Sequence, residues 1–180
     1  MEDTVVTLPN NYQDIIDETK ALDFDQLSDP MLGSLLSTLC ATKPNGSFLE
    51  LGTGSGLSAA WMLQGMDCNS TLQSVDTDEQ LVSIAKRYLG DDVRVTFTVG
   101  QGEDLILNTP TDSIDFIFAD AWPGKYNHLE ETLLLLKEGG IYLIDDMLPQ
   151  ENWPEGHEAN VLELVRYLEA REDLLLTKMS

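Results

Sequence analysis

The sequence predicts a doubly wound α/β fold, a mostly parallel sheet with helices on both faces. Three observations predict it. From residue 47 onward, short apolar runs alternate with amphipathic helix-like segments, the pattern of consecutive β–α–β units. Two of the runs, Phe116-Ile-Phe-Ala119 and Ile141-Tyr-Leu-Ile144, are almost wholly apolar, as strands covered on both faces are. The run Phe48-Leu-Glu-Leu51 passes directly into Gly52-Thr-Gly-Ser-Gly56, a glycine turn between a strand and a helix.

The elements follow in order. Apolar Ile15, Ile16, Ala21 and Leu22 predict a short helix over 10–22. Ser28-Asp29-Pro30 is a helix start, and Met31, Leu32, Leu35, Leu36 and Leu39 carry the helix over 30–41 until Pro44-Asn45-Gly46 breaks it. Strand 47–51 leads to helix 57–66. Strand 72–76 leads to helix 78–89, opened by a capping box from Thr77 to Gln80. Strand 93–98 leads to a short helix at 102–108, and strand 114–119 to helix 127–137, opened by Asn127 and Glu130. Strand 141–144 runs into a loop over 147–156, then helix 157–170 and a strand over 173–178. No repeat, low-complexity tract or second domain interrupts this order, so 1–180 reads as one domain, with helices in 1–46 and the sheet core in 47–180.

Composition excludes several partners. The 180 residues carry a net charge of −22, from 32 acidic and 10 basic side chains. Such a surface repels nucleic-acid phosphates and anionic lipid, and it suits solubility or a salt-adapted host. No apolar run reaches membrane-spanning length, and Met1-Glu-Asp-Thr4 is not a basic leader, so a cytoplasmic protein is expected. Cys40 and Cys68 lack metal-ligand spacing and read as buried thiols.

The glycine turn restricts its own ligand. A dinucleotide turn would place a third glycine where Leu57 stands. No Lys or Arg occurs between Lys43 and Lys86, and Glu50 would repel a pyrophosphate. A phosphate-free, cationic ligand fits better, and S-adenosylmethionine has a sulfonium, an ammonium and a carboxylate. Glu50 attracts the ammonium, directly or through water, while loop N–H groups and the Ser58 hydroxyl take the carboxylate. Asp76 ends the next strand, where a carboxylate accepts from ribose hydroxyls.

With these residues in place, the chain resembles class I S-adenosylmethionine-dependent methyltransferases. The resemblance is carried by Glu50-Leu-Gly-Thr-Gly-Ser-Gly56, Ser74-Val-Asp76, Gly100-Gln-Gly-Glu-Asp104 and Phe116-Ile-Phe-Ala-Asp120. Asp115 to Trp122, Tyr126, Leu133 to Gly140 and Tyr142 to Asp146 are closer still to the catechol and caffeoyl-CoA O-methyltransferases. The resemblance covers about 10–178 and implies a Rossmann-like methyltransferase fold, with a seven-strand sheet of order 3-2-1-4-5-7-6 and the N-terminal helices over the cofactor site. It implies cofactor contacts from Glu50, Gly52, Thr53, Gly54, Ser55, Gly56, Ser58, Asp76 and Thr77, then Gly102 and Glu103 at the adenine, then Asp120 and Trp122.

Asp120 ends one central strand, and Asp145 and Asp146 end its neighbour. Adjacent strands lie about 4.8 Å apart, so these carboxylates can converge on a hard cation such as Mg²⁺. In the resembled family the metal ligands are two Asp and one Asn, and the metal holds a catechol-like diol. This chain departs in two places: Asp146 stands where the family has Asn, and Pro123 where it has a candidate lysine base. Lys125 is the candidate substitute, with Asp120 beside it. Structural alternatives stand alongside, with Asp145 as a loop cap and Lys125 as a surface residue. His157 is read either as an acid–base group or as a helix-start contact; His128 has no partner at ligand spacing.

The expected activity is methylation of a small-molecule acceptor at oxygen, with a divalent metal. The alternatives are metal-independent N- or S-methylation, or a cofactor-binding module without turnover. Met147, Leu148 and Trp153 allow an aromatic acceptor. The family's final antiparallel strand has no counterpart segment after 173–178, so an open sheet edge and a homodimer that covers it are expected.

Overall fold

The computed structural model describes residues 7–22, 28–149, 153 and 156–179. Among them the chain runs α1 Tyr12–Lys20, α2 Pro30–Ala41, β1 Ser47–Leu51, α3 Leu57–Gly65, β2 Thr71–Asp76, α4 Glu79–Leu89, β3 Val95–Val99, α5 Gly102–Asn108, β4 Ile114–Ala119, α6 Leu129–Leu135, β5 Leu136–Ile144 and α7 His157–Glu169. The strands form one parallel sheet of order β3-β2-β1-β4-β5. Strand order reverses between β1 and β4, and a ligand cleft forms outside the carboxyl ends at such a point.

Alternation along the strands builds two cores. Phe48, Leu72, Phe97, Phe116 and Phe118 face Leu36, Trp61, Met62 and Val82 of α2, α3 and α4. Leu49, Leu51, Val75 and Ile117 face Ile106 of α5 and Leu135 of α6. Each large side chain buried this way contributes about 1.5–3 kcal/mol. Ile15 brings α1 onto Leu57, Ala60 and Ile84. Helices α2 and α3 meet almost backbone to backbone, since a Cβ on Gly65 would lie 1.9 Å from the Ser37 carbonyl oxygen. Asp29 caps α2 by accepting from the N–H of Met31 at 2.7 Å, with Pro30 in the first turn.

Several expectations are corrected. The segment over 173–178 forms no strand; residues 174–179 have no regular structure, and Leu175 is fully exposed. The described sheet therefore has five strands rather than the seven the resemblance implies, and no described strand pairs with the outer edge of β5. Its Ile141-Tyr-Leu-Ile144 run is half-buried, not buried on both faces, whereas Phe116, Ile117 and Phe118 of β4 are wholly inaccessible. The cap of α4 is Asp78, which accepts from the N–H of Gln80 and Leu81, not Thr77. The residue before α6 is His128 with φ 56°, not Asn127, and its side chain caps nothing. Cys40 is buried but Cys68 is exposed, and both are free thiols. Part of the loop at 147–156, including Asn152, Pro154 and Glu155, lies outside the described residues, as does Met1 to Thr4. Among the described residues no helix is long and apolar enough to cross a membrane.

Candidate functional site

The rim at the carboxyl ends of β1, β2, β4 and β5 gathers the polar residues. The glycine turn lies between β1 and α3. Gly52 has φ 104°, and a Cβ there would press to 2.8 Å on the Asp120 carbonyl oxygen, so the turn abuts the end of β4. The Asp120 N–H donates to the Leu51 carbonyl at 2.8 Å and fixes that junction. Gly56 has φ 89°, and a Cβ there would meet Ala85 of α4 at 2.7 Å. Gly54 faces open space, with nothing within 4 Å of its Cβ position. Asp76, half-buried, accepts from the Gly54 N–H at 2.8 Å and from the Asp78 N–H at 3.0 Å, which ties the turn to the end of β2. Thr77, beyond it, is exposed.

Glu50 sits beneath the turn rather than on its surface. It is 0% exposed, and its oxygens accept from Ser58 Oγ at 2.6 Å and from Ser74 Oγ at 2.5 Å. Ser58 is equally buried, so its hydroxyl is engaged by Glu50. Burial pushes the Glu50 carboxyl up to about 7, against the pull of the two serine hydroxyls. Thr53 and Ser55 are buried too, and Ser55 Oγ has no hydrogen-bond partner among the described residues.

Across the rim, Gly102 opens α5 against Pro123, whose Cβ would lie 2.9 Å from a Cβ on Gly102. Glu103 follows it. Its Oε1 accepts from Asn127 Nδ2 at 2.7 Å, while its Oε2 is buried without a partner among the described residues. Asn127 thus orients Glu103, a contact between the loop before α6 and the first turn of α5 that only the fold brings together.

The carboxylates of Asp120, Asp145 and Asp146 each place an oxygen within 4.8 Å of the others. Asp146 has φ 58°, and its N–H donates to Asp145 Oδ1 at 2.8 Å. Lys125 is buried beside them, 4% exposed, with Nζ donating to the Asp145 carbonyl at 2.9 Å and 3.8 Å from Asp120 Oδ1. Burial lowers the Lys125 ammonium pKa, and the three carboxylates oppose that shift. Burial raises the Asp120 carboxyl, Lys125 works against it, and Asp145 and Asp146 add to it. Asp145 is raised as well, chiefly by burial, and Asp29 at the start of α2 contributes to that rise.

An aromatic cluster borders the carboxylates. The His157 ring lies 4.6 Å from Trp153, 5.6 Å from Trp122 and 5.2 Å from Tyr126, centroid to centroid. His157 is buried, and its Nε2 is 3.3 Å from the Tyr126 hydroxyl. Trp122 remains half exposed at the mouth. Tyr142 of β5 donates to the Gly124 carbonyl and anchors the Pro123-Gly-Lys125 loop that carries the lysine inward. A cleft of about 520 Å³ opens between the 125–128 loop, α6 and α7; Lys125 and Tyr126 line it, and none of the three aspartates does.

A family model described as a methyltransferase domain matches residues 49–147. A protein of Mycobacterium ulcerans that carries the provisional name O-methyltransferase is 28% identical over 120 residues, 64% of this chain and 54% of that protein. A similarly named protein of Mycobacterium leprae is 29% identical over the same shares. The chain spans about half the length of the curated relatives it matches. Among solved structures, an O-methyltransferase of Bacillus cereus in complex with SAH superposes with a TM-score of 0.81 at 18% identity, over 94% of this chain and 83% of that one. The O-methyltransferase TomG of Streptomyces achromogenes, in complex with SAM, gives 0.80 at 19% identity, over 93% and 81%. At these identities the likeness is one of fold, the Rossmann-like methyltransferase fold.

Proposed function

The chain belongs to the methyltransferase domain family, and on that premise we propose that it transfers a methyl group from S-adenosylmethionine to an oxygen of a small molecule, with a divalent cation held by Asp120, Asp145 and Asp146. The observation that carries this reading is the convergence of those three carboxylates beside the glycine turn.

The residues fit both groups. Buried Ser55 Oγ and Glu103 Oε2 have no partner among the described residues, as polar atoms that await a ligand would. The open space at Gly54 and the Asp76 carboxylate that holds the Gly54 N–H lie on the same rim. The Gly52 to Gly56 turn, Asp76, Gly102, Glu103 and Trp122 would hold the methyl donor, with Glu50 beneath the turn. Three carboxylates make a hard oxygen donor set suited to Mg²⁺ or Mn²⁺, and a cation there would relieve their mutual repulsion. When bound, the metal would lower the pKa of an acceptor hydroxyl and the donor would supply the methyl group.

Lys125 supplies the rest. Its lowered pKa makes the neutral amine easier to reach, and in that form its position beside Asp120 suits it to accept the proton that the acceptor hydroxyl loses as its oxygen gains the methyl group. Trp122, Tyr126 and Trp153 give one wall of the cleft apolar ring surface, which supports a flat acceptor.

One observation favours metal-free transfer as the second reading. The Lys125 ammonium already sits among the carboxylates and neutralises part of their charge. Calorimetry with Mg²⁺ and Mn²⁺, with S-adenosylhomocysteine and a catechol present, separates the two, together with turnover before and after chelation. Metal-dependent binding and turnover are expected. Full turnover in the chelated protein would remove the metal from the proposal. Cofactor binding with no transfer to any acceptor tested would mark a binding module.

A further inference from the structure

Beneath the glycine turn, four polar side chains from separate places in the chain form one hydrogen-bond relay. Ser58, in the first turn of α3, donates to Glu50 of β1. Ser74 of β2 donates to the other Glu50 oxygen, and Thr53 Oγ1, in the turn itself, lies 2.5 Å from Ser74 Oγ. Glu50 and Ser74 are register partners in the β1–β2 ladder. All four are essentially inaccessible: Glu50 and Ser74 at 0%, Thr53 at 2%, Ser58 at 3%. The core does not require polarity there, because Leu72, two residues before Ser74 on the same face, packs as an ordinary apolar residue. Burying a carboxyl with three hydroxyls is costly unless each is satisfied, and a satisfied network specifies one arrangement.

We propose that Ser74 is a positioning residue for the methyl donor: by linking Glu50 to Thr53 it sets both the conformation of the Gly52–Gly56 turn and the direction in which the Thr53 hydroxyl presents its proton. The proposal rests on the reading that this turn binds S-adenosylmethionine.

The relay has two polarities. When Glu50 is charged, Ser74 must donate to it and can only accept from Thr53, so the Thr53 proton points inward. When Glu50 is protonated, it donates to Ser74, Ser74 donates to Thr53, and the Thr53 proton is released toward the turn. Among the described residues, the titratable groups that face Glu50 are Cys40 from α2, Asp76 from the end of β2 and Asp120 from the end of β4. The Cys40 thiol is pushed up to about 12 by burial and stays neutral. Burial and then Asp76 oppose ionisation of Glu50, the serine hydroxyls favour it, and Glu50 in turn raises Asp120. Both polarities are therefore reachable near neutral pH.

The test is calorimetric titration of S-adenosylhomocysteine into wild type, Ser74→Ala and Thr53→Val from pH 5.5 to 8.5, with the thermal midpoint of each variant. Wild-type affinity is expected to step across about pH 7. Ser74→Ala is expected to bind about tenfold more weakly with the step abolished, and Ser74→Thr, which keeps the hydroxyl, to restore it. If Ser74→Ala does not fold, Thr53→Val carries the same comparison, since it removes the end of the relay at nearly constant shape. A variant that binds like wild type with the same pH step overturns the proposal and leaves the cofactor reading standing. So does equal weakening at every pH, which is what lost packing alone would cause. Failure of wild type to bind S-adenosylhomocysteine overturns the cofactor reading and this proposal with it.

Discussion

The Lys125 ammonium lies 3.8 Å from Asp120 Oδ1 and donates to the backbone carbonyl of Asp145, so one buried cation joins the ends of β4 and β5. The contact is made although Lys125 sits two residues beyond the position where the resembled family carries its lysine. The turn through Pro123 and Gly124, with φ 86° at Gly124, brings the side chain back to the rim. Tyr142 secures that turn through the Gly124 carbonyl.

Replacing the cation tests its chemical role. Lys125→Met keeps much of the buried stem and removes the proton acceptor. Turnover is expected to fall about 100-fold. S-adenosylhomocysteine affinity should stay within about twofold, because no donor-binding residue is altered. Methyl transfer from labelled S-adenosylmethionine to a catechol, beside calorimetry, measures both. Unchanged turnover would reduce Lys125 to a structural ion.

Asp146 offers a clean charge change. Its φ of 58° is a conformation that Asn adopts readily, so Asp146→Asn should leave the thermal midpoint unchanged. Removing one of three carboxylates should weaken Mg²⁺ binding about tenfold. A titration that shows identical metal affinity in the variant would exclude Asp146 from the ligand set.

Glu50 predicts a pH-dependent stability. Its carboxyl rises from 4.5 to about 7 in the folded chain. Between those values the folded state holds more protons than the unfolded state, so stability falls as pH rises, and the loss is complete above about 7. The shift corresponds to about 3 kcal/mol. Glu50→Gln cannot titrate, so its unfolding free energy relative to wild type should improve by up to that amount between pH 5 and 8. Denaturant melts across that range measure the difference, and a constant offset would contradict a titrating Glu50.

The α2–α3 crossing predicts a packing failure. A methyl at Gly65 would strike the Ser37 carbonyl, which is backbone and cannot turn aside. Gly65→Ala is expected to cost about 3 kcal/mol or more, from forced separation of the two helices. A thermal midpoint within a degree of wild type would show that the helices part freely.

The order of elements was legible in the sequence because it rests on local chemistry. Period-two and period-3.6 apolar patterns, Asp29-Pro30 and the glycine turn each act within a few residues. Strand 47–51, helix 30–41, helix 102–108 and strand 114–119 stand where those patterns place them. The clustering of Asp120, Asp145 and Asp146 was legible for a related reason, since adjacent parallel strands bring their carboxyl ends together. What only the tertiary structure decided depends on which surfaces meet. Residues 173–178 read as a strand by composition, but a strand needs a paired edge, and among the described residues they have none. Asn127 read as a helix cap until the fold brought Glu103 within 2.7 Å of it. Glu50 read as a residue facing the ligand, yet packing of α2, α3 and β2 around β1 excludes it from solvent and turns its oxygens to Ser58 and Ser74. Local pattern sets where a side chain stands along the chain; long-range packing sets whether water, a ligand or another side chain meets it.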